Sequence, residues 1–294
     1  MRTRVSITLN PELPSGMPAR SWTRRWLCVL TVLTVLGIMP AHGQSSAGVP
    51  IEDMTWTEVR DALKSGKTTV IIPVGGTEQS GPHMALGKHN VRVKLLAERI
   101  ATSLGNALVA PVVAYVPEGQ VFPPTQHMRF AGTVTIPDEA FKAVIDGAAR
   151  SFRQHGFTDV VLIGDHGGYQ SLLEKVASRL NRDWAGSTAR AHFIGAYYEA
   201  AQGPYSRVLR DHGLNDAQIG THAGAADTSL MLATDPGLVR RDELKSSGRD
   251  AAAAKALGVS GEPGLSSAAL GQLGVDLIVS RTTSAIRQAV ALRH

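Results

Sequence analysis

Three stretches of this sequence carry side chains that hydrolytic and metal chemistry use. Residues 78–83 read EQSGPH, and His89 follows shortly after. Residues 164–169 read GDHGGY, which sets Asp165 and His166 beside Gly167 and Gly168. Residues 221–229 read THAGAADTS and supply His222 and Asp227. Glu118 and His127 lie between the first two stretches. Carboxylates and imidazoles converging without a thiolate make an N/O ligand set, suited to Zn²⁺ or Mn²⁺. The sequence lacks the G-x-S-x-G elbow, the P-loop, the dinucleotide G-x-G-x-x-G and H-E-x-x-H. Each residue also has a plain reading. Glu78 and Glu118 fit a helix cap or a solvated surface, His166 a hydrogen-bonded turn, and His83 and His127 a packed core. Gly167 and Gly168 fit a tight turn, because glycine tolerates positive φ.

The elements around these stretches decide whether the side chains meet. Residues 69–74 (TVIIPV) are β-branched and continuous, which predicts a buried strand closed by Gly75 and Gly76. Asn90 is a good N-cap for a helix with Val91, Leu95, Ile100 and Leu104 inward, and Gly105 stands at its C′ position. Residues 107–115 predict a second strand. A helix opening at residues 137–139 (PDE) carries Phe141, Val144, Ile145, Ala148 and Phe152 on one face and stops at Gly156. Residues 159–163 (DVVLI) predict a third strand, then Leu172, Leu173, Val176 and Leu180 mark a helix. Residues 192–198 predict a fourth strand. Continuous apolar strands between amphipathic helices imply an α/β fold, a mainly parallel sheet with helices on both faces. Ligands of such sheets bind at the carboxyl ends of the strands, so the loops after residues 74 and 163 should face one crevice.

The chain has 294 residues, 43% hydrophobic and 19% charged, which is globular composition. Its formal charge of +5 sits mostly at the front, where residues 1–43 carry Arg2, Arg4, Arg20, Arg24 and Arg25 against Glu12 alone. The near-neutral remainder has no electrostatic footprint for nucleic acid. Arg24 and Arg25 precede the apolar run 27–39 (LCVLTVLTVLGIM) and the small residues of 40–43 (PAHG). That layout predicts a cleavable secretory signal peptide over residues 1–43 and a periplasmic or secreted protein. The paired arginines resemble a twin-arginine export signal. As a helix the apolar run covers roughly 20 Å of a hydrocarbon core about 30 Å thick, so no stable membrane span is expected after cleavage. Cys28, the only cysteine, lies inside this segment, and the remainder therefore has no disulfide and no thiolate ligand. Residues 44–50 (QSSAGVP) read as a linker and residues 51–294 as one catalytic domain.

Taken in order, these stretches resemble the creatininase (creatinine amidohydrolase) family. Residues 75–86 (GGTEQSGPHMAL) are similar to the family's G-[ST]-x-E-Q-H-G-P-H-L-P-L, and residues 164–170 (GDHGGYQ) to its N-G-H-G-G-N. Residues 222–229 (HAGAADTS) echo H-A-G-x-x-E-T-S, residues 126–133 (QHMRFAGT) echo H-x-x-F-P-G-T, and residues 258–263 (GVSGEP) echo G-V-x-G-D-P. The resemblance implies a three-layer α/β sandwich, a homo-oligomer (a hexamer in similar proteins) and metal-assisted hydrolysis of a C–N bond in a small amide.

Similar family members hold two metals. Carried over position by position, Glu78 and His166 keep their ligand types. The first-motif His is Ser80 here, the bridging Asp is His89, a second-motif Glu is Gly168, and the third-motif Glu is Asp227. An imidazole nitrogen offers one lone pair to one metal and cannot bridge as a carboxylate does. The resemblance therefore implies a single site of Glu78, His89, His166 and Asp227, with about one metal per chain. It makes His222 the candidate proton shuttle and sets His83, His127, Gly167 and Gly168 around the substrate, the glycine amides meeting an oxyanion. Asp165 and Glu118 are further acid/base candidates. The alternatives are a lactone or formamide hydrolase, and a small-molecule-binding protein that kept the fold without catalysis.

Overall fold

The computed structural model describes residues 48–244 and 251–292. The expected signal peptide and most of the linker lie outside the described residues. Among the described residues, no helix is long and apolar enough to cross a membrane.

Helix α1 (Trp56–Lys64) opens on a capping box in which Thr55 and Glu58 satisfy each other's backbone amides. It leads into β1 (Thr69–Val74), every residue of which is buried. Three crossovers follow. Helix α2 (Lys88–Leu104) returns the chain to β2 (Ala107–Val109), α3 (Asp138–Gln154) to β3 (Asp159–Gly164), and α4 (Gln170–Asp183) to β4 (Arg190–Phe193). The four strands form one sheet in the order β2-β1-β3-β4, and every pairing is parallel. Short helices α5 (Ala196–Ala201), α6 (Gly203–Asp211) and α7 (Asp216–Ile219) precede α8 (Ala225–Thr234). Helices α9 (Ala251–Ala256) and α10 (Ala268–Ala291) close the fold.

Side chains alternate across β1 and so feed two cores. Val70, Ile72 and Val74 join Phe141, Ile145, Leu173 and Val176 from α3 and α4. Ile71 points the other way, to Val93, Leu96 and Ile100 of α2 and Val275 and Ile278 of α10. Burying each such side chain contributes about 1.5–3 kcal/mol relative to exposure, which makes both faces of the sheet dry. The result is the three-layer α/β fold expected from the strand composition.

Several local expectations shift: the strand expected over residues 192–198 is β4 only over Arg190–Phe193 and gives way to α5 at Ala196, and Val144, expected on the inward face of α3, is 50% exposed. Asn90 does not cap α2, which begins at Lys88. Its side chain reaches back instead, accepting from the Gly76 amide at 2.9 Å and donating to Thr77 Oγ1 at 3.2 Å, and so ties down the loop after β1. The strand expected over residues 107–115 pairs regularly only to Val109, with one isolated bridge at Val113, because Pro111 removes a ladder donor. The C′ glycine is as expected: Gly105 has φ 83°, the left-handed turn that lets its amide reach Ala101.

The strand order contains the position of the site. The chain leaves β1 for β2 on one side and then crosses to β3 on the other. The carboxyl ends of β1 and β3 therefore flank a topological switch point, where an open parallel sheet leaves a crevice. Glu78 follows β1, and His166 follows β3.

Candidate metal centre

A cavity of about 270 Å³ opens at this switch point. Glu78, His127, His166 and His222 line its inner end, with Lys88, His89, Arg92, Asp165 and Asp227 along one wall. Tyr198, Gln202, Ser206 and Thr221 add an uncharged, hydroxyl- and amide-bearing part of the lining.

Glu78 is completely buried, and its two oxygens face different neighbours. Oε2 looks toward His127 Nε2 at 3.0 Å and His166 Nε2 at 3.4 Å, yet makes no hydrogen bond of proper geometry. Oε1 accepts from His89 Nε2 at 2.7 Å and lies 3.6 Å from Lys88 Nζ. Burial alone pushes the Glu78 carboxyl up. The hydrogen bond and charge of His89, with Lys88 and His166, overcome it and hold Glu78 well below the usual carboxylate range.

Glu118 approaches from the loop before α3, anchored by its amide on Thr135 Oγ1 at 2.9 Å. Its carboxyl is buried, neither oxygen has a protein N–H or hydroxyl donor, and Oε2 is 3.7 Å from His166 Nε2. Burial, then the neighbouring charge of Glu78 and the hydrogen bond that the protonated carboxyl makes to it, push its pKa up to about 9. His127 sits on a single 3-10 turn, Gln126–Arg129, where its Nδ1 meets the Gln79 side-chain amide at 3.2 Å. His166 takes the Gly168 amide on Nδ1 at 3.2 Å, which turns Nε2 toward the carboxylates. Burial, then the nearby cationic groups, lower His166 to about 3, so its ring is neutral.

Ligand atoms of Glu78, Glu118, His127 and His166 all lie within 4.8 Å of one another. Buried polar atoms without partners are rare, because each costs about 1–3 kcal/mol. Three carboxylate oxygens without an N–H or hydroxyl donor of proper geometry, Glu78 Oε2 and both Glu118 oxygens, converge here beside two imidazoles. The donor set fits one small divalent cation, with two carboxylate and two imidazole ligands.

Two of the four ligands expected from the sequence are in this set, and two are replaced. His89 is not among them because both ring nitrogens are spent, Nε2 on Glu78 and Nδ1 on Asp165 at 2.6 Å. Asp227 is held by Lys88 through Oδ2 and by Arg92 Nη1 at 2.7 Å through Oδ1, which leaves no free carboxylate oxygen. Glu118 and His127 take their places. His127 stands among the ligand atoms as well as on the cavity wall, where a substrate contact was expected. His83 lies off the cavity: it is fully buried, its Nε2 is 3.1 Å from Thr228 Oγ1, and burial lowers it to about 4. Gly167 lines the cavity, and a Cβ there would meet the Tyr198 hydroxyl at 2.6 Å, so a larger residue would have to displace that ring. Gly168 serves the His166 ring and is not part of the cavity lining. Asp165 is an ion-pair residue, bound by Arg92, His89 and the Tyr197 hydroxyl.

Sequence reasoning did not name Lys88 and Arg92. The signal was available: with His89 they occupy positions i, i+1 and i+4 at the start of α2, and Arg92 adjoins the inward Val93. Two cations on the buried face of a helix, beside Val93, Leu96 and Ile100, must have carboxylate partners.

An α/β sheet with a carboxylate–imidazole cluster at its switch point is an arrangement that could hold a metal ion for hydrolysis. The chain matches the family described as Creatininase: Creatinine amidohydrolase over residues 52–286, and it belongs to that family of hydrolases. A 3-dehydro-scyllo-inosose hydrolase of Thermotoga maritima is 32% identical over 207 residues, covering 66% of this chain. The chain spans 59% of the length of that relative. A mycofactocin precursor peptide peptidase of Mycobacterium tuberculosis is 26% identical over 246 residues, covering 76% of this chain and 86% of the peptidase. Among solved structures, one described as "Creatininase Mn" superposes with a TM-score of 0.68 at 25% identity, covering 82% of this chain and 98% of that one.

Proposed function

We propose that this chain is an exported amidohydrolase that cleaves a C–N bond of a small amide, cyclic or linear. It does so with one Zn²⁺ or Mn²⁺ ion held by Glu78, Glu118, His127 and His166. The observation that carries the reading is the convergence of three buried carboxylate oxygens, none with an N–H or hydroxyl donor of proper geometry, on two imidazoles in the switch-point cavity. A divalent ion held there supplies Lewis-acid polarisation of a carbonyl and makes water acidic enough to attack near neutral pH.

The remaining steps fall to the protein. His222 Nε2 lies 3.0 Å from the Gln79 carbonyl and 3.1 Å from the Gln79 side-chain amide nitrogen; in the tautomer that donates to the carbonyl, Nδ1 is the basic nitrogen. Burial first, then Lys88, lowers His222 to about 4, and it enters the reaction neutral, able to accept a proton from water and return it to the leaving nitrogen. The Gly167 amide, at the cavity wall, is the candidate donor to the developing oxyanion. Tyr198, Gln202, Ser206 and Thr221 offer hydroxyl and amide contacts to the rest of the substrate.

That uncharged, hydroxyl-rich lining favours a second reading, hydrolysis of a polyhydroxylated ring compound, in line with the name of the Thermotoga relative. Export rests on the signal-like residues 1–43. A homo-oligomer is in keeping with Phe122, which is 92% exposed on the loop between Glu118 and His127.

Elemental analysis of the purified protein, with a panel of amides, lactones and cyclitol ketones, tests the reading. About one metal per chain and turnover of one substrate class are expected. His222→Ala should lower kcat by about 10²–10⁴ with metal content unchanged. A folded protein that holds no metal and turns over nothing would leave a binding protein on the same fold.

A further inference from the structure

We propose that Lys88, braced by Arg92 and His89, is a resident cation on the far side of Glu78, and that it holds the centre to a single metal ion. The inference rests on the metal-binding reading above and concerns what the other oxygen of Glu78 does. Oε2 faces His127, His166 and the metal cluster, whereas Oε1 faces Lys88 Nζ at 3.6 Å and His89 Nε2 at 2.7 Å. One carboxylate thus looks onto two cation positions, and only the Oε2 side has ligand atoms to spare.

The Oε1 side is filled by the protein itself. The Lys88 ammonium has no solvent exposure and is bonded to Asp227. Arg92 binds Asp227 through Nη1 at 2.7 Å and Asp165 through Nη2 at 2.7 Å. His89 closes the ring by joining Asp165 to Glu78. Asp165 and Asp227, the two aspartates on this side, are therefore committed to fixed cations. A lysine ammonium is a compact point charge with three donors, and a dication beside it would meet unscreened repulsion in a buried site. The donors that Lys88 occupies are Glu78 Oε1 and Asp227 Oδ2, the two oxygens its removal would leave to a second ion. Lys88 is a positioning residue. It keeps Glu78 turned toward one metal and occupies the place where another cation would balance Oε1 and Asp227.

The test is metal stoichiometry, read without any substrate. Chelator-stripped protein is titrated with Mn²⁺, passed through a desalting column and analysed for metal per chain. Wild type should saturate at one equivalent even in excess Mn²⁺. Lys88→Met, which removes the charge and keeps the length, should take up a second equivalent, and Lys88→Arg should stay at one. Lys88→Gln gives the same readout if the methionine variant does not fold. Two equivalents in wild type, or one in a folded Lys88→Met or Lys88→Gln protein, would overturn the proposal while leaving the metal centre in place. No metal in wild type would instead overturn the centre itself, and this inference with it.

Discussion

The charged wall and the inner end of the crevice are built from the same residue types and behave oppositely. On the α2–α8 wall, Lys88, His89, Arg92, Asp165 and Asp227 are paired throughout, and Tyr197 adds a hydroxyl to Asp165 at 2.7 Å. At the inner end, neither Glu118 oxygen has a protein N–H or hydroxyl donor, and Glu78 Oε2 accepts no hydrogen bond of proper geometry. Both groups of residues are buried and acidic or basic. The difference is satisfaction: a closed polar network specifies structure, and an open one marks where a ligand belongs. A count of histidines and carboxylates does not separate the two.

The comparison breaks most visibly at His166. His166→Ala should abolish metal binding, because it removes one of four ligands. The metal-free variant should still melt close to metal-free wild type, within about 1 kcal/mol, since that ring has no strong partner to lose. Calorimetry of both apo proteins, alongside metal analysis, checks the pair of outcomes. A large loss of apo stability would mean that the open cluster is structural after all.

Arg92→Met should do the reverse. It strands Asp165 and Asp227 beside a partly dismantled network, and breaking a buried pair in this way costs about 3–5 kcal/mol. In a domain of this size that is a fall in Tm of about 6–20 °C. Folded protein at low temperature should retain its metal. Metal loss from well-folded Arg92→Met would show that the paired wall also ligates.

The smallest effect is on protons, and it sharpens the contrast at a single residue. Glu118 is pushed up to about 9 and is protonated at neutral pH, while His166, at about 3, is already neutral. Metal uptake must therefore release one proton from Glu118, and affinity should fall roughly tenfold per pH unit as pH drops below that value. The sign for stability follows. The raised pKa means that the metal-free fold holds a proton the unfolded chain gives up, so apo stability declines as pH rises from the ordinary carboxylate range toward about 9. Titration calorimetry in buffers of different ionisation enthalpy reads the proton, and Glu118→Gln should eliminate it. Uptake without proton release would remove Glu118 from the ligand set.

Much of this protein is written in its local sequence. The β-branched runs at residues 69–74 and 159–163, each ending where polar loop residues begin, specify parallel strands, because only a strand covered on both faces is apolar throughout. The ordered motifs around Glu78, His166 and His222 place those three side chains at the carboxyl ends of strands or beside them, and all three line the cavity. What the sequence left open is which neighbour each polar group meets. His89 occupies a position that resembles a ligand, but α2 starts early enough to deliver Lys88 and Arg92 to the same side, and their carboxylate partners come from β3 and α8. Glu118 and His127 stand 40 and 49 residues beyond Glu78 in loops with no periodicity, so only the packing of those loops over the crevice makes them ligand candidates. Residue type and spacing are local properties and are readable along the chain. Whether a buried charge is satisfied depends on contacts between distant elements, and the tertiary structure alone decides it.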